Sequence, residues 1–476
     1  MDTVYNRLMD YSLTEAYPFH MPGHKRRLEG DILSDISRID ITEIDGFDNL
    51  HDPQGIIREA QERASELYGA QESFFLINGS TCGILSAVAA CVPRGGWLMM
   101  ARNCHKSVYH AALLGGLKTA YLYPAMEKHF SFCSGLDAEY IKKELDAFYE
   151  THPGETIHAV LITSPTYEGV ISDVRAIADF LHARRIPLIV DEAHGAHLGL
   201  AKGLPLGSCE LGADIVIHSL HKTLPAMTQT ALLHVNGNLV NRQKLRFFLS
   251  VYQSSSPSYV FMASIDRAVT MMQKNGEEYF ESFLKRRSDL LDSLKRCKQL
   301  RVFQKEGTDP CKLVLSTGKS GMSGKLLYDT MRIKYGLQME MAAGDYVVAI
   351  LTVMDSKEGF RRLEKAVLEI DGRLEACDNT PKSELTQEDA EPQKIIKAEV
   401  VCTLEEAALR REQIQIPCEE AKGRICGAWI YVYPPGIPIL APGERIKGEH
   451  IAAVNRIRQK KLDLKGICDN QMSVLK

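Results

Sequence analysis

Two short apolar runs end on residues that can do chemistry. Ile186-Pro-Leu-Ile-Val-Asp-Glu-Ala-His-Gly195 turns polar at Asp191, and Ala213-Asp-Ile-Val-Ile-His-Ser-Leu-His-Lys-Thr223 ends on Lys222, flanked by hydroxyls and imidazoles. Each run has the length of a buried parallel strand, and a parallel α/β sheet binds ligands at the carboxyl ends of its strands. A carboxylate and a lysine presented there suit pyridoxal 5'-phosphate. The lysine amine would form the Schiff base, and the aspartate would keep the pyridine nitrogen protonated so that the ring accepts electrons.

Other segments supply the remaining contacts such a group needs. Phe74-Phe-Leu-Ile-Asn-Gly-Ser-Thr-Cys-Gly83 reads as a strand, a glycine-flanked turn and the start of a helix. Amides at that helix start, with the hydroxyls of Ser80 and Thr81, would cradle a phosphate, and Ser219 and His221 beside Lys222 are further phosphate partners. Alone, the turn is equally an N-cap closing a βα connection. His105, in Arg102-Asn-Cys-His-Lys-Ser-Val108, also sits at a strand's carboxyl end, where an imidazole could stack on the ring. Lys106 is the rival for the Schiff base but lacks the hydroxyls around Lys222.

Within Asp191-Glu-Ala-His-Gly-Ala-His197, His194 would lie near the ring oxygen or near the carboxylate leaving the substrate, and His197 is read as structural. Carboxylate and imidazole at that spacing also suit a metal. A metal leaves Lys222 and the Ser80–Thr81 turn without a role, so none is expected. In Ser164-Pro-Thr-Tyr-Glu-Gly169, Thr166 or Tyr167 could bond the cofactor's phenolic oxygen with Glu168 behind; the alternative is a turn and nothing more.

The elements that must position these residues follow from hydropathy. Residues 17–235 alternate apolar runs with amphipathic segments, the pattern of βα units in a mainly parallel sheet. Strands are expected at 73–77, 97–101, 119–123, 159–163, 188–191, 215–218 and 230–235, and helices at 83–91, 107–114, 138–149 and 175–184. A long helix over 264–297 would carry the chain out of this large domain (1–290), and a smaller α+β domain follows over 291–377. The acidic stretch 378–391 has one large apolar residue and reads as part of an exposed linker over 378–397. A C-terminal domain over 398–476 opens on a capping box from Thr403 to Glu406 and contains a proline-rich run, 431–444, expected to press against another surface.

Composition agrees with a cytoplasmic enzyme. The 476 residues are 45% hydrophobic and 25% charged, and a net charge of −4 gives no reason to expect nucleic acid or an anionic membrane as partner. The start shows no basic segment leading into an apolar core, and no run reaches the roughly 18 apolar residues of a membrane span. The 12 cysteines are scattered without a C-x-x-C pair, as expected of thiols in a reducing compartment.

These motifs, in this order, resemble the bacterial ornithine/lysine/arginine decarboxylases, pyridoxal-phosphate enzymes of the aspartate-aminotransferase fold (fold type I). The segments that carry the resemblance are Phe19-His-Met-Pro-Gly-His-Lys-Arg26, Asn78-Gly-Ser-Thr81, Arg102-Asn-Cys-His-Lys-Ser107, Ser164-Pro-Thr-Tyr-Glu-Gly169, Asp191-Glu-Ala-His-Gly195, Ser219-Leu-His-Lys-Thr223 and Tyr433-Pro-Pro-Gly-Ile-Pro438 with Pro442-Gly-Glu444. The resemblance implies Lys222 as Schiff-base lysine, Asp191 on the pyridine nitrogen, His105 on the ring face, and phosphate contacts from Ser80, Thr81, Ser219 and His221. It is closest to the shorter members. The His-Met-Pro-Gly-His motif begins by residue 20, which leaves no room for the N-terminal wing domain of the ring-forming enzymes. Pro225 and Ala226 stand where the family often has glycine.

The resemblance further implies decarboxylation of a basic amino acid, with arginine favoured over lysine or ornithine, in polyamine biosynthesis. A cationic substrate side chain needs acidic partners; Glu340 is the first choice, with Asp45, Asp48 and Glu444 as others. A homodimer or a small multiple of it is expected, with Ser254 and Ser255, in a polar loop after an apolar segment, near the partner's phosphate site. Two alternatives stand beside this reading. An aminotransferase or carbon–carbon lyase of the same fold would usually stack an aromatic residue where His105 is placed. A non-catalytic regulatory relative would not need Lys222, Asp191 and His105.

Overall fold

The computed structural model describes residues 2–14, 21–22, 25, 32–128, 130–318, 320–377, 395–432, 437–459 and 463–476. Most of the His-Met-Pro-Gly-His motif, the acidic stretch 378–391 and the centre of the proline-rich run lie outside them. Among the described residues, no helix is long and apolar enough to cross a membrane.

In chain order the elements are α1 (Val4–Ser12), α2 (Ile32–Ser37), α3 (Ile56–Tyr68), β1 (Glu72–Leu76), α4 (Gly79–Cys91), β2 (Trp97–Ala101), α5 (Lys106–Gly115), β3 (Lys118–Leu122), α6 (Ala138–Thr151), β4 (Ile157–Thr163), α7 (Val174–His182), β5 (Leu188–Asp191), β6 (Ile215–Ser219), α8 (Leu220–Thr223), β7 (Ala231–Val235) and α9 (Arg242–Tyr252). A single helix, α10 (Tyr259–Leu294), comes next, and then β8 (Arg301–Val302), β9 (Lys312–Ser316), α11 (Gly324–Tyr335), β10 (Met341–Ala343), β11 (Tyr346–Ile350) and α12 (Lys357–Cys377). The first seven strands are ordered β1-β7-β6-β5-β4-β2-β3. The chain divides into two compact units, residues 1–91 with 178–282 and residues 92–177 with 283–476.

In the first unit, β5 and β6 are parallel, while β7 runs antiparallel to both β6 and β1. All residues of β5, β6 and β7 are buried, so their apolar runs face core on both sides. Helix α4 lies close over this sheet: a Cβ on Gly83 would meet Leu76 Cδ1 at 2.6 Å and Ile217 Cγ2 at 3.3 Å. Only glycine permits that approach, which sets where the first turn of α4 falls relative to the end of β6. The N-terminus of α3 is organised by Asp48, whose carboxylate accepts the amides of Gly55 (2.8 Å), Ile57 (3.0 Å), Asn49 and Gln54. Those bonds hold the Asp48 carboxyl below its usual range, although burial acts the other way.

In the second unit, β2 is parallel to β3 and to β4. The later strands form an antiparallel sheet ordered β10-β11-β9-β8. The C-terminal region adds β12 (Gln413–Pro417), β13 (Ile430–Val432), β14 (Pro438–Leu440), α13 (Gly448–Gln459), β15 (Leu464–Lys465), β16 (Ile467–Cys468) and β17 (Gln471–Leu475), in two small sheets around Cys426, Ile430, Leu440, Val454 and Val474. The Thr403 capping box forms reciprocally: Glu406 N–H donates to the Thr403 hydroxyl and Thr403 N–H to the Glu406 carboxylate. It opens a short helix over 404–410 that widens at Glu406–Arg410. The described part of the proline-rich run pairs with β13 and is largely buried within its own chain.

A fully buried charge pair of this unit joins β2 to that run. Arg102 directly follows β2, and its guanidinium donates to both oxygens of Glu444, at 2.5 and 3.0 Å, with both side chains fully buried. The carbonyls of Pro438 and Ile439 accept from the same guanidinium, and the Tyr121 ring lies 4.7 Å beneath it. Removing one partner strands the other charge in the core. Glu444→Ala is expected to cost about 3–5 kcal/mol in chemical unfolding; a loss below about 1 kcal/mol, the ceiling for surface pairs, would show that the pair is solvated.

Candidate functional site

In the first unit, β5 ends on Asp191 and β6 on Ser219, and the single turn α8 follows at once with Leu220, His221, Lys222 and Thr223. The Lys222 amine lies 3.0 Å from His194 Nε2. Asp191 is buried; burial raises its pKa, and the Lys222 charge and the Ala193 amide (3.2 Å) pull it back. Ser219 Oγ donates to Ser80 Oγ at 2.9 Å, which ties the end of β6 to the first turn of α4. Ser80 and Thr81 therefore stand at a helix N-terminus, whose first amides have no intrahelical acceptor. His221 donates from Nδ1 to the Thr230 carbonyl at 3.0 Å, and its pKa is lowered, first by burial.

The Ser254–Ser256 loop is exposed, and its base is attached beside the same turn. Gln253 Oε1 accepts Ile77 N–H at 2.9 Å, and Asn78 Oδ1 accepts Ser254 N–H at 3.1 Å. His51 Nε2 adds a contact to the Ser254 carbonyl at 2.8 Å. The unit thus gathers Lys222, His194, Asp191, Ser80, Thr81, Ser219 and His221, with Ser254 and Ser255 at its edge. Asp48, expected as an acidic partner for a substrate side chain, is spent on the α3 amides. Asp45 is exposed.

In the second unit, His105 is the N-cap of α5. Its Nδ1 accepts Ser107 N–H at 3.3 Å and meets Ser107 Oγ at 2.8 Å, so the exposed ring of a neutral His105 carries its proton on Nε2. The Thr166 hydroxyl accepts Val170 N–H at 3.1 Å and bonds the Glu168 carboxyl, which commits it to its own turn. Tyr167 donates to Glu340 instead of facing a phenolic oxygen. Glu340 itself is exposed. Glu444, another expected substrate partner, has both oxygens committed to Arg102 and a third bond from Ala441 N–H. The core pair takes Glu444 out of the expected role of substrate partner.

The donor set of the first unit fits pyridoxal phosphate. A buried carboxylate needs a cationic partner to stay ionised, and a pyridinium N–H supplies one. An amine 3.0 Å from an imidazole and hydroxyls at a helix N-terminus complete the requirements of an aldehyde and a phosphate.

The chain is similar to known proteins along most of its length. The family model described as Orn/Lys/Arg decarboxylase, major domain, matches residues 3–320, and that of the C-terminal domain matches residues 386–461. An uncharacterized protein of Bacillus subtilis, YaaO, is 34% identical over 97% of this chain and 95% of its own length. An arginine decarboxylase of the same organism is 29% identical over 99% of this chain and 97% of its own. Among solved structures, the Francisella novicida lysine decarboxylase LdcF superposes with a TM-score of 0.82 at 18% identity, covering 99% of this chain and 81% of that one. A ureidoglycine-glyoxylate aminotransferase of Bacillus subtilis gives 0.57 at 15% identity, over 81% of this chain and 94% of that one. These likenesses place the chain in the fold-type-I class of pyridoxal-phosphate enzymes.

Sequence reasoning missed a buried polar chain in the first unit. His218 Nε2 meets Glu192 Oε1 at 3.3 Å, His218 Nδ1 meets His234 Nε2 at 3.1 Å, and His234 Nδ1 meets Ser73 Oγ at 2.7 Å. The apolar neighbours of His218 and His234 in their strands were the available signal: a histidine inside a fully buried strand must find a polar partner. Burial pushes His218 down to about 3 and His234 well below its usual value. The unfolded chain binds protons on both near pH 6.5 while the fold refuses them, so stability held above pH 6.5 is lost as pH falls below it. Each histidine contributes a slope of about 1.4 kcal/mol per pH unit. Urea unfolding from pH 7 to pH 5 is expected to show this loss, and His234→Gln to remove about one proton's share of it. Equal slopes in the two proteins would mean that His234 is protonated in the fold.

Proposed function

Because the chain belongs to the Orn/Lys/Arg decarboxylase family and is thereby a pyridoxal-phosphate-dependent amino-acid decarboxylase, we propose that it converts arginine to its amine and carbon dioxide as a cytoplasmic homodimer. The observation that carries the site assignment is the meeting of the Lys222 amine, His194 and the buried Asp191 in one unit. Arginine is favoured over lysine and ornithine because the full-length relatives with a named activity include the Bacillus subtilis arginine decarboxylase. Its amine product would enter polyamine biosynthesis.

When bound, the cofactor supplies the sink for the electron pair left as carbon dioxide departs. The chain's residues do the rest. Lys222 would hold the group through its amine, and Asp191 would keep the ring nitrogen cationic. Ser80 and Thr81 would donate to the phosphate, and Ser219, whose hydroxyl hydrogen goes to Ser80, would hold Ser80 in place there. His221, whose Nδ1–H is taken by Thr230, needs a proton on Nε2 to donate as well, and the negative phosphate favours that form. His194 stands where it can take a proton from the Lys222 amine or return one. His105, with its ring set by the Ser107 cap, is assigned to the ring face, and Thr166 and Tyr167 are left out of the cofactor's contacts. Glu340 is the acidic partner for the substrate's cationic end, and Tyr167 orients it. Ser254 and Ser255 are assigned to the partner subunit's phosphate; the exposure of their loop supports this.

Borohydride reduction of the holoenzyme and peptide mapping should place the label on Lys222, and Lys222→Ala should lose it while remaining folded. A label on Lys106 would sink the assignment. Asp191→Asn should keep the cofactor and lose turnover by orders of magnitude, because a neutral pyridine is a poor electron sink; near-normal turnover would mean that the nitrogen is held otherwise. Mixed dimers of Lys222→Ala chains with chains altered at Ser254–Ser255 should regain activity, and chains that exchange without complementing would show self-sufficient subunits.

A further inference from the structure

The parallel ladder between β5 and β6 pairs Ile189 with Ile215, Val190 with Val216 and Asp191 with Ile217. The next register step would pair Glu192 with His218. At that step the two side chains meet, His218 Nε2 to Glu192 Oε1, at 3.3 Å, with both fully buried. We propose that Glu192 and His218 form a side-chain rung that continues the ladder one step beyond its main-chain pairs. The rung fixes the separation of Asp191 from Ser219 and Lys222, which makes the pair positioning residues of the decarboxylase site. The proposal rests on the reading that Asp191 and Lys222 hold the cofactor.

The neighbours of the pair allow it a single arrangement. Ser208 N–H donates to the second Glu192 oxygen at 2.9 Å, so that carboxylate accepts on both sides. His218 then donates from Nε2 and accepts on Nδ1 from His234 Nε2–H, and His234 Nδ1 accepts from the Ser73 hydroxyl. Every donor in this chain meets an acceptor with both imidazoles neutral, the form their burial favours. The Tyr68 ring closes over the two imidazoles with centroids 4.7 Å from each, and its hydroxyl donates to the Ala196 carbonyl at 2.7 Å, within the segment that follows Glu192. Rotation of either member of the rung would break two bonds in a dry interior, where an unmade bond costs about 1–3 kcal/mol. Asp191 is one residue before the rung on one strand, and Ser219 one residue after it on the other. Lateral drift of the strand ends would therefore move the carboxylate and the lysine turn apart.

The test compares holoenzymes of Glu192→Ala, Glu192→Gln, Glu192→Asp and the native protein. The readouts are the visible circular dichroism of the bound cofactor, kcat, KM, and the borohydride-labelled peptide. Glu192→Ala is expected to change the dichroic band and lower kcat at least about tenfold, as misplacement of reacting groups does, with KM within about threefold. Glu192→Gln keeps an oxygen for the His218 N–H but turns its NH2 toward the Ser208 N–H, and should recover the band and the rate in part. If Glu192→Ala does not fold, Glu192→Asp carries the test: it keeps the charge but withdraws the carboxylate by one methylene, and the same loss is expected. An unchanged band and kcat with the label still on Lys222 would overturn the rung and leave the site reading intact. A label on another lysine in the native protein would overturn the site reading itself.

Discussion

A carboxylate taken out of water at the end of a strand is costly unless a positive charge faces it, and the site is built around that requirement. Asp191 is buried at the end of β5, and burial raises its pKa; the Lys222 charge pulls in the other direction. The Lys222 charge acts on Asp191 because β5 and β6 are parallel neighbours in register, Asp191 opposite Ile217, so that Ser219 and the α8 turn begin just beyond. The glycine contact of α4 with β1 and β6, the Ser80–Ser219 bond and the buried imidazole chain all hold those strand ends in place. A cofactor with an aldehyde, a ring nitrogen and a phosphate would find a complementary group for each in the proposed site.

The strands that present the site were legible because a buried parallel strand must be apolar along its length. The runs ending at Asp191 and Ser219 could be read almost to the residue, and Trp97–Ala101 likewise. Helix starts were less legible: α4 begins at Gly79, inside the segment read as a loop, because Gly79, Ser80 and Thr81 already form its first turn. The roles of Lys222, Asp191 and His105 were suggested by their place at strand ends, and the capping box at Thr403 by its spacing alone.

Pairings between distant residues were not legible. Arg102 and Glu444 are 342 positions apart, and nothing local marks either as a core ion pair. Glu444 and Asp48 were read as acidic partners for a cationic substrate side chain. Each carboxylate is consumed by donors that only the folded chain brings near. The rung between Glu192 and His218 escaped for the same reason, although Glu192 adjoins the most informative residue of the chain.

Loading the protein with pyridoxal phosphate carrying a nitrogen-15 ring atom, and recording that atom's NMR signal in the native and Asp191→Asn proteins, reaches the central relation most directly. A protonated ring nitrogen in the native protein, and its loss or a large shift on substitution, is the predicted result. A neutral ring nitrogen in the native protein, or a protonated one that does not respond to Asp191→Asn, would contradict it.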